Sequence, residues 1–536
     1  MNEVSKREIL AMYDVRGIQD YIYRNPRIKD AMGASEIVRS IIGDTLKEAV
    51  RKMQRTEPGI TATLEWCDEN GPLSYADGRQ DVEVLFVGGG NAYVTFSSER
   101  LCHRINCEMA RLILIRTYSL QLATAYVECT DSYAEDYRRL QSKMSSVKAA
   151  MRVTRPLGAL PIMQIEIKNG FPLADKDGST ETLLKNRAKE RNALKEGEEK
   201  ILDNLAESKG ENSILAVVHM DGNNMGLRIR QLIEGKETYA EAVTQMRQIS
   251  YNISRAYEDT FEEVRKEIEK DRDRRFIRRI IVAGDDITYV CTASVALASV
   301  EMFCRRITEL TMLSGHNEKP SSEEKLRYGF SVCGGIAYMG SHFPFDIAYD
   351  VAESLCDSAK KEAKKLENLD NGRIGCYVDF QICKDVRCRN LDETRRREYT
   401  TAGGDSLLLR PYRIITKTDE LGSRKPEKGA PGQYDLLKAQ LDFFQNSKNL
   451  PRTFAKKIRN TYGDGREPMN VLASFLRSRG WRLPDKPDNG VMRTRDCMGE
   501  AFWKEEKRKD GTSFYRATFY DALELMDIAE KEQKDE

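Results

Sequence analysis

The residues with the clearest capacity for chemistry are two adjacent carboxylates, Asp285 and Asp286, inside RRIIVAGDDITYVCT at residues 278–292. Two apolar strand-like runs, IIVA and ITYV, flank Gly284-Asp285-Asp286, which predicts a hairpin with its turn at the carboxylates. Unpaired like charges at a strand junction are costly to bury, and a cation offsets that cost. A third carboxylate, Asp221, ends the apolar strand ILAVVHMD and leads through Gly222 into a helix. In a ferredoxin-like sheet the first strand and this hairpin are neighbours, so the three carboxylates gather at one sheet edge. Hard oxygen donors of this kind select Mg2+ or Mn2+, and two such ions activate an attacking hydroxyl and stabilise a leaving oxygen. Gly222 belongs with the aspartates as a metal-site residue, and Gly222 and Gly284 let substrate phosphates approach the backbone. Taken singly, an Asp after a strand is as readily a helix cap, and Gly-Asp-Asp an ordinary turn. Their joint placement in one domain favours the metal site.

Downstream, SAKKEAKK sets Lys360 and Lys364 four residues apart on one helix face, either a solvated surface or a triphosphate clamp. Ile347, Val351 and Leu355 form the opposite, apolar stripe. Asn223 and Asn224 either contact ribose or base, or cap the helix that follows them.

The elements that must position these groups occur twice. ILAMYDVRGIQDYI, with Asp14 at the strand end, parallels ILAVVHMDGNNMGLRI, and DVEVLFVGGGNAYVTF parallels the Gly-Asp-Asp hairpin. Each hairpin is followed by an apolar-periodic helix, a further strand (QLATAYVEC against GFSVCGGIAYM) and a closing helix. The order strand, helix, hairpin, helix, strand, helix predicts an α+β fold with two ferredoxin-like domains. The first copy keeps Asp14 but has Gly88-Gly89-Gly90-Asn91 where the second has Ala283-Gly284-Asp285-Asp286. Two-metal chemistry fails there, while the glycines leave a site that only binds nucleotide. The expected domains are 1–155 (first copy, degenerate), 156–212 (a charged linker), 213–380 (second copy) and 381–536 (mainly helical). Gly403-Gly404-Asp405 lacks flanking apolar strands and is expected to be a loop.

Bulk properties narrow the function. Over 536 residues, 86 basic side chains balance 85 acidic ones for a net charge of +1, which excludes a histone-like binder. Local basic runs such as RDRRFIRR (272–279) leave room for RNA contact or a plain surface edge. No run of 18 apolar residues exists and the N-terminus has no signal-peptide pattern, so the chain reads as cytoplasmic, with no membrane partner. The 12 cysteines lack any C-x-x-C and the 4 histidines are dispersed, which favours buried thiols over zinc.

These stretches resemble the palm domains of the large polymerase/cyclase-like subunit of type III CRISPR effector complexes. The resemblance rests on DVRGIQDYI with MGAS at 32–35, GGGNAYVTF, MDGNNMG, VAGDDITYV and GIAYMGSHFPFDIAYDVAESLCDSAKK, and covers most of residues 10–380. More distantly the chain is similar to GGDEF-type diguanylate cyclases and adenylyl cyclases. The resemblance implies a second palm that converts ATP into cyclic oligoadenylates, which activate downstream effectors. It assigns metal ligation to Asp221, Asp285 and Asp286 with Mg2+ or Mn2+, and phosphate binding to Lys360 or Lys364. It implies that the first palm also holds nucleotide, for which Asp14, Gly88, Gly89, Gly90 and Asn91 are the candidate residues, beside Asn223, Asn224 and Gly284 on the second. Three departures stand out: AGDD replaces GGDD, no His-Asp nuclease motif is present, and no cysteine occurs in LPIMQIEIKNGFPLAD between the palms. They point to a compact stand-alone relative. The alternative is a non-catalytic nucleotide- or RNA-binding subunit of a CRISPR complex. A template-dependent polymerase is a weaker third reading, because nothing resembles fingers or thumb. Which NTPs are used, the product's ring size and the oligomeric state, homo-oligomer included, stay open.

Overall fold

The structure, a computed structural model, describes residues 6–24, 28–88, 90–152, 160–191, 214–270, 276–314, 319–427, 429–488, 491–507 and 511–529. β1 (Ile9–Arg16) passes through Gly17, whose φ of 81° is left-handed, into α1 (Ile18–Tyr23) and α2 (Ile28–Thr56). β2 (Ala62–Thr63), β3 (Val82–Gly88), β4 (Asn91–Phe96), α3 (Glu99–Thr117), β5 (Gln121–Glu128) and α4 (Tyr133–Ala150) complete the first unit. Ser98 and Ser132 start α3 and α4 by accepting from the Leu101 and Glu135 amides. The sheet order is β2-β3-β4-β1-β5. A small hairpin, β6 (Leu173–Asp175) and β7 (Gly178–Ser179), then precedes α5 (Thr180–Arg191). Residues 153–159 and 192–213 of the expected linker lie outside the described residues.

The second unit repeats the plan with β8 (Ile214–Gly222), α6 (Met225–Ile233), α7 (Tyr239–Ile268), β9 (Ile277–Ala283), β10 (Asp286–Thr292), α8 (Ala296–Ile307), β11 (Val332–Gly340) and α9 (Phe345–Ala363). It then adds β12 (Cys376–Ile382) and β13 (Tyr412–Ile414), giving the order β13-β12-β11-β8-β10-β9. The β9-β10-β8-β11 core therefore matches β3-β4-β1-β5 strand for strand. α9 lies very close to β11, because a Cβ on Gly335 would stand 2.0 Å from the Ala352 carbonyl oxygen. Only glycine permits that approach.

The two units exchange long helices. Ile41, Ile42 and Leu46 of α2 share a core with Leu215, Val217, Ile280 and Ala337 of the second sheet. In return, Val243 and Met246 of α7 pack with Leu10, Leu85 and Tyr93 of the first sheet. Arg247 of α7, only 1% exposed, donates from Nε to Leu85 O (2.9 Å), from Nη1 to Leu73 O (2.9 Å) and from Nη2 to Val84 O (2.8 Å). Its Nη2 also lies 3.3 Å from Glu83 Oε1, pairing the buried charges.

The C-terminal part is mainly helical, with α10 (Tyr434–Gln445), α11 (Arg452–Asp464) and α12 (Arg466–Ser478), and adds two hairpins. These are β14 (Arg482–Asp488) with β15 (Val491–Asp496), and β16 (Trp503–Lys507) with β17 (Ser513–Ala517). The Gly403-Gly404-Asp405 segment is a loop, as expected. Asp405 accepts from the Tyr515 amide (3.2 Å) and pairs with Arg466 (3.2 Å), a structural role. All twelve cysteines are free thiols and nine are buried. Among the described residues no helix is long and apolar enough to cross a membrane.

Candidate nucleotide site between the two sheets

The β8–β10 register pairs Asp221 with Asp286, and Asp286 also faces Ala283 across the hairpin. Gly284 turns that hairpin at a φ of 65°. In the first unit Asp14 pairs with Asn91, and Asn91 faces Gly88. Asn91 thus occupies the register position of Asp286. Gly222 is crowded: a Cβ there would lie 2.8 Å from Met225 Cγ, 2.8 Å from Tyr257 Oη and 2.9 Å from Asp285 Cβ. Glycine at this point lets the Asp285 side chain close over the end of β8.

The carboxylates repel one another as their register predicts. Burial, then Asp221, pushes the Asp285 pKa up to about 6. Burial, then Asp221, Asp285 and Glu353, pushes Asp286 up to about 7. Asp286 Oδ1 is buried with no hydrogen-bond partner, although the side chain as a whole keeps 40% exposure. His219, on β8 two residues before Asp221, lies 3.5 Å from that oxygen and 3.0 Å from Thr288 Oγ1. Burial drops the His219 pKa to about 4, so at neutral pH the imidazole contributes no charge to offset Asp286.

Lys360 on α9 extends its Nζ to Asp221 Oδ2. Burial opposes its charge, but the Asp221 carboxylate outweighs burial and raises the Lys360 pKa. The first unit repeats the pair: Lys148 on α4 donates to Asp14 Oδ2 at 2.5 Å. Lys148 is missing from the sequence-derived set, although a signal exists in Ser146-Val147-Lys148 against Ser358-Ala359-Lys360. α1 reaches the same helix, with Gln19 Nε2 donating to Glu353 Oε1 (2.7 Å) and Tyr349 Oη (3.0 Å). Tyr23 stacks on Tyr349 with centroids 3.7 Å apart.

Between the units lies a cleft of about 1340 Å³. Its walls include Asp14, Gly88, Gly90, Asn91 and Lys148 from one side and Gly284, Asp285 and Asp286 from the other. Other residues singled out from sequence are placed differently. Asn223 is 1% exposed and turns inward, donating to Ser331 Oγ (3.2 Å) and Gly375 O (3.4 Å). Asn224 is the N-cap residue of α6 at a φ of 55°, without a side-chain cap bond. Lys364 is exposed at the C-cap of α9, so of the two lysines it is Lys360 that touches the aspartates. Gly89 lies outside the described residues. In the basic run, Arg278 pairs with Glu269 (2.5 Å) and Arg279 with Glu258 (3.2 Å), while 272–275 lie outside the described residues.

The carboxylate set fits a divalent cation: its donors are hard oxygens, they repel one another, and Asp286 Oδ1 is a buried acceptor without a donor. As placed, with Lys360 on Asp221, no group of three His, Cys, Asp or Glu side chains among the described residues stands in ligating position. One consequence is measurable. Asp285 and Asp286 have pKa values above the usual 3.8, so between about pH 4 and 7 the native state binds more protons than the unfolded chain. Their contribution to stability is full at acid pH and lost as pH rises through about 6 to 7. Metal-free protein should therefore melt lower at about pH 7.5 than at about pH 5.5, and Asp285→Asn with Asp286→Asn should flatten that difference. Differential scanning fluorimetry reads both, and equal slopes would contradict the placement.

The two sheets share the ferredoxin-like strand order, and the core of the second lies within a palm domain. Residues 214–368 match the family model Cas10/Cmr2, second palm domain, so the chain resembles the palm-domain large subunit of type III CRISPR effector complexes. Among solved structures, the Csm1–Csm4 cassette in complex with cA4 matches at 14% identity and TM-score 0.49, covering 88% of this chain and 64% of that one. The cassette with cA3 matches at 16% identity and TM-score 0.42, covering 67% of this chain and 54% of that one. The apo cassette gives 15% identity and TM-score 0.46, with 88% and 65% covered. The chain thus spans less than two thirds of the length of these three relatives. No curated protein sequence matches it.

Proposed function

We propose that this protein is a metal-dependent nucleotidyltransferase that joins NTPs, ATP first among them, into a cyclic or linear oligonucleotide signal in CRISPR-linked or related antiviral defence. The observation that carries this reading is the pairing of Asp221 with Asp286 on neighbouring strands, with Asp285 in the adjoining turn, within a stretch that matches the Cas10/Cmr2 second palm domain. In the reaction a ribose 3′-hydroxyl of one nucleotide attacks the α-phosphorus of another. The new P–O bond forms as the bond to pyrophosphate breaks, and the hydroxyl proton leaves to solvent or a carboxylate.

Bound Mg2+ or Mn2+, held by Asp221, Asp285, Asp286 and the Gly222 carbonyl, would supply hydroxyl activation and neutralise charge on the leaving oxygen. The chain's own residues do the rest by positioning. Lys360 exchanges Asp221 for a phosphate oxygen and acts as a point charge on the triphosphate. Asp14, Gly88, Gly90, Asn91 and Lys148 hold the second nucleotide across the cleft without chemistry of their own. A cleft of about 1340 Å³ exceeds the roughly 300–1,000 Å³ of a single small-molecule site, which suits two nucleotides. Cytoplasmic location, partner CRISPR subunits and a product-activated effector belong to the same proposal.

The test is mass spectrometry of the purified chain incubated with each NTP and with mixtures, plus Mg2+ or Mn2+, with and without RNA. Phosphodiester products that require the metal are expected. Absence of product under every condition would favour a non-catalytic binding subunit.

A further inference from the structure

The helix pair α11–α12 carries a charge imbalance that the palm chemistry does not use. Residues 451–482 hold eight basic side chains against two acidic ones, in a chain whose net charge is +1. Some of these cations are satisfied locally, as Arg452 and Lys456 are by Asp527 and Arg482 is by Asp496. Lys457, Arg477 and Arg479 have no carboxylate partner among the described residues. Two of them flank an exposed ring: Lys457 Nζ lies 5.3 Å and the Arg479 guanidinium 5.4 Å from the Phe475 centroid. Phe475 is 38% exposed and Val471, one turn earlier on α12, is 73% exposed. Behind them Phe454 meets Phe475 at 6.1 Å and Trp481 at 6.0 Å, so the outer ring rests on a rigid aromatic support.

We propose that this face of α11–α12 binds single-stranded nucleic acid, with a base stacked on Phe475 and phosphates neutralised by Lys457 and Arg479. An exposed ring between unpaired cations matches what an unpaired strand offers, a π-face alternating with a phosphate. Acidic protein surfaces offer charge without the π-face, and duplexes keep their bases stacked inside. The site is separate from the palm cleft, and its occupation is measured without turnover, so it stands or falls independently of the cyclase reading.

The experiment is fluorescence anisotropy of the full chain with a labelled 12-nucleotide RNA, the DNA of the same sequence, and the corresponding duplexes. Wild type should bind the single strands more tightly than the duplexes, and the RNA and DNA arms show whether the ribose is read. Affinity should fall with salt on a log–log slope of about 1.4, as two phosphate contacts on a single strand give. Phe475→Ala should weaken binding about tenfold or more, while Phe475→Tyr, which keeps the ring, should stay close to wild type. Lys457→Glu with Arg479→Glu should weaken it further and flatten the salt slope. Circular dichroism checks that each variant is folded. Wild-type failure to bind any strand at low salt would overturn the proposal, as would variants that bind like wild type, or a preference for an acidic peptide over the strands.

Discussion

Replacing both hairpin carboxylates, Asp285→Ala with Asp286→Ala, is expected to remove oligonucleotide product by on the order of 10³-fold or more while leaving the protein folded. The two halves of this expectation have one cause. Both groups are pushed up in pKa by burial and by Asp221, to about 6 and about 7, so each costs stability when ionised at neutral pH. Neutral replacements relieve that repulsion, and the melting temperature at about pH 7.5 in metal-free buffer should hold or rise. The hairpin itself needs no aspartate, since Gly88–Asn91 turns β3 into β4 in the same register with only glycine and asparagine. Product assays and melting curves on one preparation separate the outcomes. Retained product would move the active site elsewhere, and loss of product together with loss of fold would make the carboxylates structural.

The second large effect is on stability. Arg247→Ala should lower it by about 3–5 kcal/mol, the usual consequence of removing one partner from a buried ion pair. Three carbonyls, Leu73 O, Leu85 O and Val84 O, lose their donor, and Glu83 loses its cation. Burial already raises the Glu83 pKa despite the bond from Ala76 N, and loss of the Arg247 charge raises it further. Urea denaturation should show the midpoint dropping for both halves together. A drop confined to one half, or none, would contradict the role assigned to this side chain.

Much of the site was legible because its signals are local. Apolar runs broken by Gly284 or Gly90 announce hairpins within a dozen residues, and the second copy supplies a comparison inside one chain. Asp221 could be joined to Asp285 and Asp286 because hairpin and first strand are neighbours in such a sheet. Asn223 was harder: its neighbours Ser331 and Gly375 lie more than a hundred residues away in sequence, and nothing near it says that it points inward. Lys148 was hidden in a helix whose visible signal is its charge. The helix exchange was illegible for a related reason, since the amphipathic faces of α2 and α7 specify burial but not which sheet provides it. The β14–β15 hairpin contains Pro484 and Pro487, which mask its strand character.

The exchange of α2 and α7 bears on descent. A copy without the two carboxylates is ordinarily free to decay or be deleted, yet here its sheet supplies the floor on which the other copy's longest helix rests. Deletion would strip Val243, Met246 and Arg247 of their seats and expose the partner's core. The glycine-turn copy is thereby entrenched: selection on the stability of the acidic half alone is enough to preserve it.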